Sequence, residues 1–119
     1  MPNLNAALGC AQLAQLQKFI TNKRELASIY EDFLSEGPYT FVKEPEGCVS
    51  NYWLNAVICK DESQRDLLLS SSNDAGIMLR PVWTPMHLLP MYAKSIRGPL
   101  DNTEWLAKRL VNLPSSVRG

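Results

Sequence analysis

From Leu4 to Leu34, apolar residues return at helical spacing through Leu8, Ala11, Leu13, Leu16, Phe19, Ile20, Leu26, Ala27, Tyr30 and Phe33, with no proline before Gly37-Pro38. This predicts a single helix. About thirty residues at ~1.5 Å each span ~45 Å, whereas a compact chain of 119 residues has a radius of gyration of only about 13 to 14 Å. One end of the helix must therefore project. The first turns carry Ala6, Ala7, Gly9, Ala11 and Ala14, small residues that let another backbone approach closely, and the bulky core residues lie further along. The projecting end is expected to meet a partner.

Beyond this helix, Tyr39 to Val42 reads as a short strand, and Glu44-Pro45-Glu46-Gly47 as a connection. The run Tyr52 to Cys59 is nearly continuous in apolar residues, broken only by Asn55, and predicts the central strand. Asp61 is placed to cap a helix from Glu62 to about Ser72, with Gln64 completing a capping box and Leu67 to Leu69 facing inward. Asn73, Asp74 and Gly76 end it. Ile77 to Arg80 predicts another short strand, and a last helix is expected from Asn102 or Thr103 to Val111. The order helix, strand, strand, helix, strand, helix predicts an α/β (α+β) two-layer sandwich. In it the long helix and the shorter helices pack on a small, mainly antiparallel sheet.

Residues 1–119 are enough for one domain with a modest core, since 45% of them are hydrophobic. Twelve basic residues balance twelve acidic ones without clustering, so a nucleic-acid or anionic-membrane partner is not expected. Cys10, Cys48 and Cys59 are odd in number and contain no Cys-x-x-Cys pair, which argues against a disulfide framework and a zinc site. No apolar stretch is long enough to span a bilayer, and no export signal opens the chain. These features predict a cytoplasmic protein.

The 80–92 loop, Arg80 to Tyr92 (RPVWTPMHLLPMY), is unusual because Pro81, Pro85 and Pro90 block regular structure while large apolar groups remain. Such a loop either covers the core or meets another surface. His87, the single histidine, has no metal partners in sequence, and Arg80 is placed either to pair with an anionic group or to stay solvated. No Gly-rich phosphate loop, nucleophile elbow or His-Glu metal motif is present. Lys18, Lys23, Lys43, Lys60, Lys94 and Lys108 stand among polar neighbours or on outer helix faces, so none reads as a buried Schiff-base lysine. No catalytic, cofactor-binding or metal-ligating residue is assigned.

Three segments carry a resemblance: the start MPNLNAALGCAQL followed by Lys23-Arg24, the loop with Leu79-Arg80-Pro81-Val82-Trp83 and Pro85-Met86-His87-Leu88, and the closing Asn112-Leu113-Pro114-Ser115-Ser116. Together, in this order, they resemble the DegT/StrS-type nucleotide-sugar aminotransferases over nearly the whole chain. The similarity is greatest to members that aminate nucleotide-linked 4-keto-6-deoxy sugars.

The resemblance implies that the chain corresponds to the C-terminal small domain of a fold-type I enzyme dependent on pyridoxal 5'-phosphate (PLP). It implies further that a large domain precedes Met1 and supplies the cofactor lysine. An Asn-Tyr-Arg segment lies just ahead of the matching helix in the family. On this reading the chain holds no cofactor and is inactive alone, and Arg80, Trp83, His87 and Tyr92 are the substrate-side residues. It also implies a homo-oligomer formed through the N-terminal helix and the 80–92 loop, with a nucleotide sugar as ligand. The alternative is a stand-alone, noncatalytic module that dimerises or binds a ligand through the same two surfaces.

Overall fold

A computed structural model describes residues 2–118. The first helix, α1 (Asn3–Leu34), runs unbroken for 32 residues, as its periodicity predicts. Its second half meets the body of the domain, where Ala27 is buried and Tyr30 and Leu34 lean on the core. Its first half does not: Leu4 is 80% exposed, and Leu8, Leu13 and Leu16 are also open. The radius of gyration is accordingly 17.5 Å, above the roughly 13.5 Å of a compact chain of this length.

Four strands, β1 (Thr40–Phe41), β2 (Asn55–Ile58), β3 (Arg80–Pro81) and β4 (Leu110–Leu113), form one sheet in the order β1-β2-β4-β3. Every pairing is antiparallel. Phe41, Val57 and Val111 pair across neighbouring strands and so share a face. With Ala27, Cys59 and Leu79 they make the buried core, against which α1 and α2 (Glu62–Asp74) pack side chains from the same layer. The two-layer α/β architecture is thus the predicted one.

Asp61 caps α2 as expected, its carboxylate accepting from the Gln64 N–H at 2.8 Å. Gln64 reaches back one residue further than the standard box, accepting from the Lys60 N–H at 2.7 Å. Gly76, at φ 78°, turns the chain out of the helix. Leu68 and Leu69 pack on the core, but Leu67 is 69% exposed, so the inward face of α2 is narrower than predicted. Successive leucines lie about 100° apart around a helix, and three in a row cannot all face one sheet.

Two further expectations are corrected. The strand expected at Ile77 to Arg80 forms at Arg80–Pro81, because β4 offers partners only there. Ile77 instead donates its N–H to Ser72 O at 2.8 Å, continuing the helix end. The last helix, α3, spans Asp101–Ala107 and stops well before Val111. Leu110 and Val111 belong to β4, which inserts between β2 and β3 and completes the sheet. A short run such as Leu110-Val111-Asn112-Leu113, apolar at three of four positions, fits either a helix end or a buried strand. Two flanking strands with open hydrogen-bonding edges decide the matter.

The long connection between β1 and β2 is clamped to α1. Glu44 accepts from both terminal nitrogens of Arg24, and Arg24 also donates to Ser50 O at 2.6 Å. Tyr52 sits in the left-handed region at φ 44°, which costs an ordinary side chain about 1–2 kcal/mol. It is held there by a hydrogen bond from its N–H to Ser50 Oγ, by the Glu44 N–H donated to its hydroxyl, and by stacking on Phe41. The C-terminal tail lies along α1: Tyr30 donates to Pro114 O at 2.9 Å, and Asn22 exchanges hydrogen bonds with the Arg118 backbone.

Candidate functional site

The loop from Arg80 to Tyr92 folds into two single-turn 3-10 segments, Met86–Leu88 and Pro90–Tyr92, each bounded by proline. Proline fixes φ near −65° and removes an N–H, so beyond β3 the loop keeps a defined path without extending the sheet. Two clefts flank it.

The first, of about 360 Å³, lies between the loop and the start of α3 and is lined by Pro85, Met86, His87, Tyr92, Ile96 and Leu100 among others. His87 is the fixed element of this cleft, with a side chain only 8% exposed. Its Nε2 lies 3.0 Å from Glu104 Oε1 on α3, and its carbonyl accepts from Arg97 at 3.3 Å. The imidazole is therefore oriented by a carboxylate on one side while the backbone is tethered on the other. Such a group is placed to form a hydrogen bond with a ligand in a chosen direction.

The second cleft, of about 560 Å³, lies between α2, the loop and the end of α3. Trp83 stands over it, 76% exposed, with Leu69, Val82 and Leu88 as apolar lining. Arg65 braces the wall, donating to Asp66, Glu62 and Ala107 O, and its side chain is mostly buried. Pro85 borders both clefts, and the His87–Glu104 contact joins a residue of one to a residue of the other.

Of the four residues singled out in the sequence, His87 and Tyr92 are brought into one cleft and Trp83 into the next. Arg80 lines neither; it is exposed on the edge strand, with its guanidinium near Met78 Sδ. Sequence reasoning missed Glu104, Arg97 and the Glu62–Arg65–Asp66 group. Glu104 is one of several acidic residues near a helix start, and nothing local distinguishes it from a solvated one.

Elsewhere, burial pushes the Cys59 thiol up, which leaves it inert, while Cys10 and Cys48 are exposed. Among the described residues no three His, Cys, Asp or Glu side chains form a metal cluster. No helix among them is long and apolar enough to cross a membrane.

The sequence matches the DegT/DnrJ/EryC1/StrS aminotransferase family over residues 1–118. The chain belongs to that family. A GDP-perosamine synthase from Vibrio cholerae is 39% identical over 120 residues, which is 97% of this chain and 32% of that protein. The aminotransferase TlmJ from Streptoalloteichus hindustanus superposes with a TM-score of 0.83 at 29% identity, covering 93% of this chain and 30% of its own. DesI, solved in the presence of its TDP-sugar product, gives 0.82 at 26% identity, with coverage of 93% and 30%. An E. coli GDP-4-keto-6-deoxy-D-mannose-3-dehydratase with bound hydrated PLP gives 0.76 at 27%, with coverage of 94% and 30%. The chain spans about a third of the length of the curated relatives it matches.

Enzymes of the DegT/DnrJ/EryC1/StrS family are PLP-dependent. The residues described here do not by themselves fit a seat for that cofactor. Lys23 is half-buried with its ammonium donated to the carbonyls of Trp53 and Ser115, and the other five lysines are exposed. A lysine that holds PLP needs a sheltered site in which its amine is free to react.

Proposed function

We propose that the chain is the small domain of a PLP-dependent aminotransferase acting on nucleotide-linked 4-keto-6-deoxy sugars, with the cofactor and its lysine supplied by a large domain. The observation that carries this reading is the similarity to a GDP-perosamine synthase across 97% of the chain but only 32% of that protein. PLP, when bound, supplies the amino-group transfer chemistry. The work left to this chain is to wall and orient the sugar nucleotide. His87 and Tyr92 line a largely apolar cleft that also holds Ser95, Arg97 and Thr103, so a few polar groups there give the ligand a direction. Arg80 and Trp83 extend the substrate side towards the sheet edge and the second cleft.

The bare first half of α1 and the 80–92 loop are the surfaces through which we expect the chain to form a homo-oligomer. A long helix with open leucines is stable as a packed element and costly as a solvated one. Three unpaired cysteines fit a reducing cytoplasm. The exposed helix equally suits a stand-alone dimerisation module, which is the competing reading.

A hybrid enzyme separates the two. The chain is fused to the N-terminal two thirds of the Vibrio cholerae GDP-perosamine synthase and assayed for amination of a GDP-linked 4-keto-6-deoxy sugar. Activity within about tenfold of the parent is expected. No activity, where the parent's own C-terminal third restores it, would overturn the proposal. Reading the coding DNA ahead of Met1 for an in-frame Asn-Tyr-Arg and a cofactor lysine supplies a second check, and an immediate in-frame stop codon there favours the module.

A further inference from the structure

The side of α1 turned away from the core carries an apolar stripe that the domain leaves bare at both ends. Steps of three or four residues lead from Leu4 through Leu8 and Ala11 to Leu26, Ile29 and Phe33, by way of a polar middle at Gln15, Lys18 and Asn22. The mean step is close to the 3.6 residues of a helical turn, so the stripe runs straight along the helix. Phe33 is 82% and Ile29 50% exposed although both lie on the half of α1 that meets the domain, and Leu4 and Leu8 are as open at the other end.

The pattern is the same from either end. Laid antiparallel on a second copy of itself, α1 sets Leu4 against Phe33, Leu8 against Ile29, Ala11 against Leu26 and Gln15 against Asn22, and each pairing occurs twice. A two-fold contact requires this self-complementarity, because the same patch serves both copies. In that register no charged residue of α1 stands directly opposite another. A parallel pair sets Lys18 against Lys18 and aligns the two helix dipoles side by side.

The tail after β4 obstructs this contact. It leaves the sheet on the core side, where Tyr30 and Lys23 hold the Pro114 and Ser115 carbonyls, and crosses α1 to the stripe. There the Arg118 N–H donates to Asn22 Oδ1 at 2.8 Å, Asn22 Nδ2 donates to Arg118 O at 3.5 Å, and the Arg118 guanidinium lies 3.5 Å from Glu25. The Arg118 backbone therefore lies over the polar middle, between the two apolar ends. Packed helices approach to about 8–10 Å between axes, which leaves no room for a segment of chain between them. All three Arg118 contacts are exposed to solvent and individually weak.

We propose that α1 pairs antiparallel with α1 of a second copy across this stripe, and that residues 114–118 form a strap whose end lifts from Asn22 before the pair closes. Self-association is thereby governed by a local opening of weak contacts while the core stays as it is. This device lies in α1 and the tail and is independent of the aminotransferase reading.

Sedimentation equilibrium tests both parts. A chain ending at Val117 keeps the stripe and loses the end of the strap, and its dimer dissociation constant is expected to fall about tenfold below that of the unaltered chain. In the shortened chain Leu4→Glu and Phe33→Lys are each expected to raise that constant at least about tenfold. The two together should recover about fivefold, because only an antiparallel pair brings position 4 to position 33. Circular dichroism confirms the fold of each form. No tightening in the shortened chain overturns the strap. A dimer indifferent to Phe33→Lys overturns the face, and a double variant no tighter than the singles overturns the antiparallel register. A shortened chain that stays monomeric overturns the pairing altogether.

Discussion

Glu44 receives both terminal nitrogens of Arg24, Oε1 from Nη2 at 2.8 Å and Oε2 from Nη1 at 2.9 Å, so a two-point contact ties the loop after β1 to the middle of α1. The guanidinium, together with the Ser50 N–H, holds the Glu44 carboxyl down to about 2 from its ordinary 4.5. A carboxylate whose folded pKa is depressed contributes stability that is fully present above its unfolded value and is lost as pH falls towards the folded one. The urea midpoint is therefore expected to drop between about pH 4.5 and 2, and Glu44→Gln to flatten that part of the profile. An unchanged slope in the variant refutes the role given to this pair.

The centre of the sheet should be the most sensitive place in the fold. Val57 and Val111 pair across β2 and β4 and are 1% and 0% exposed. Truncation of either to alanine removes two buried methyl groups and is expected to cost about 2 kcal/mol in urea unfolding. Leu4→Ala, on the bare half of α1, should cost less than about 0.5 kcal/mol. Equal losses at the two positions argue against the core described here.

Ser115 carries a different kind of weight. Its hydroxyl donates to Leu113 O and accepts from the N–H of the fully buried Asn55, both at 2.8 Å. Ser115→Ala leaves that N–H without an acceptor in the interior, at a cost of about 2 kcal/mol. Ser115→Thr keeps the hydroxyl and should recover most of the loss, which denaturation of the two variants will show.

Function in the hybrid enzyme should depend on the orientation of His87. Glu104→Ala removes the carboxylate 3.0 Å from Nε2 and frees the ring. The expected result is a loss of about tenfold in kcat/KM, expressed chiefly in KM for the sugar nucleotide, with the circular dichroism spectrum unchanged. A variant with parental KM removes His87 from the substrate side.

The open leucines of α1 predict self-association of the chain. Sedimentation at high concentration should show a dimer, and Leu4→Lys with Leu8→Lys, one helical turn apart on the same face, should return it to a monomer. A monomeric unaltered chain at the same concentration counts decisively against this surface.

Sequence reading succeeded where the signal is local and repeated. The period of α1 persists for 32 residues, and Asp61 and Gln64 mark the start of α2 through contacts three or four residues apart. It failed where the deciding contact is distant. Leu110 and Val111 continue the apolar spacing of α3, and only the partners Ile58 and Val57, more than fifty residues earlier, make them a strand. His87 stood out by composition, but its partner Glu104 is fixed by the packing of α3 on the loop. The second cleft was legible in part, through Trp83. The acidic group facing it comes from a helix whose charges look solvated until Arg65 is seen to gather them.

The sheet ends in two short outer strands, β1 and β3, of two residues each, and one of the two residues of β3 is Pro81. A proline cannot donate to an incoming strand, and two residues give a foreign strand almost nothing to zip onto. The polypeptide can thus carry a long helix with bare leucines without inviting fibrous growth along its sheet. An edge of this kind offers another chain no template for pairing.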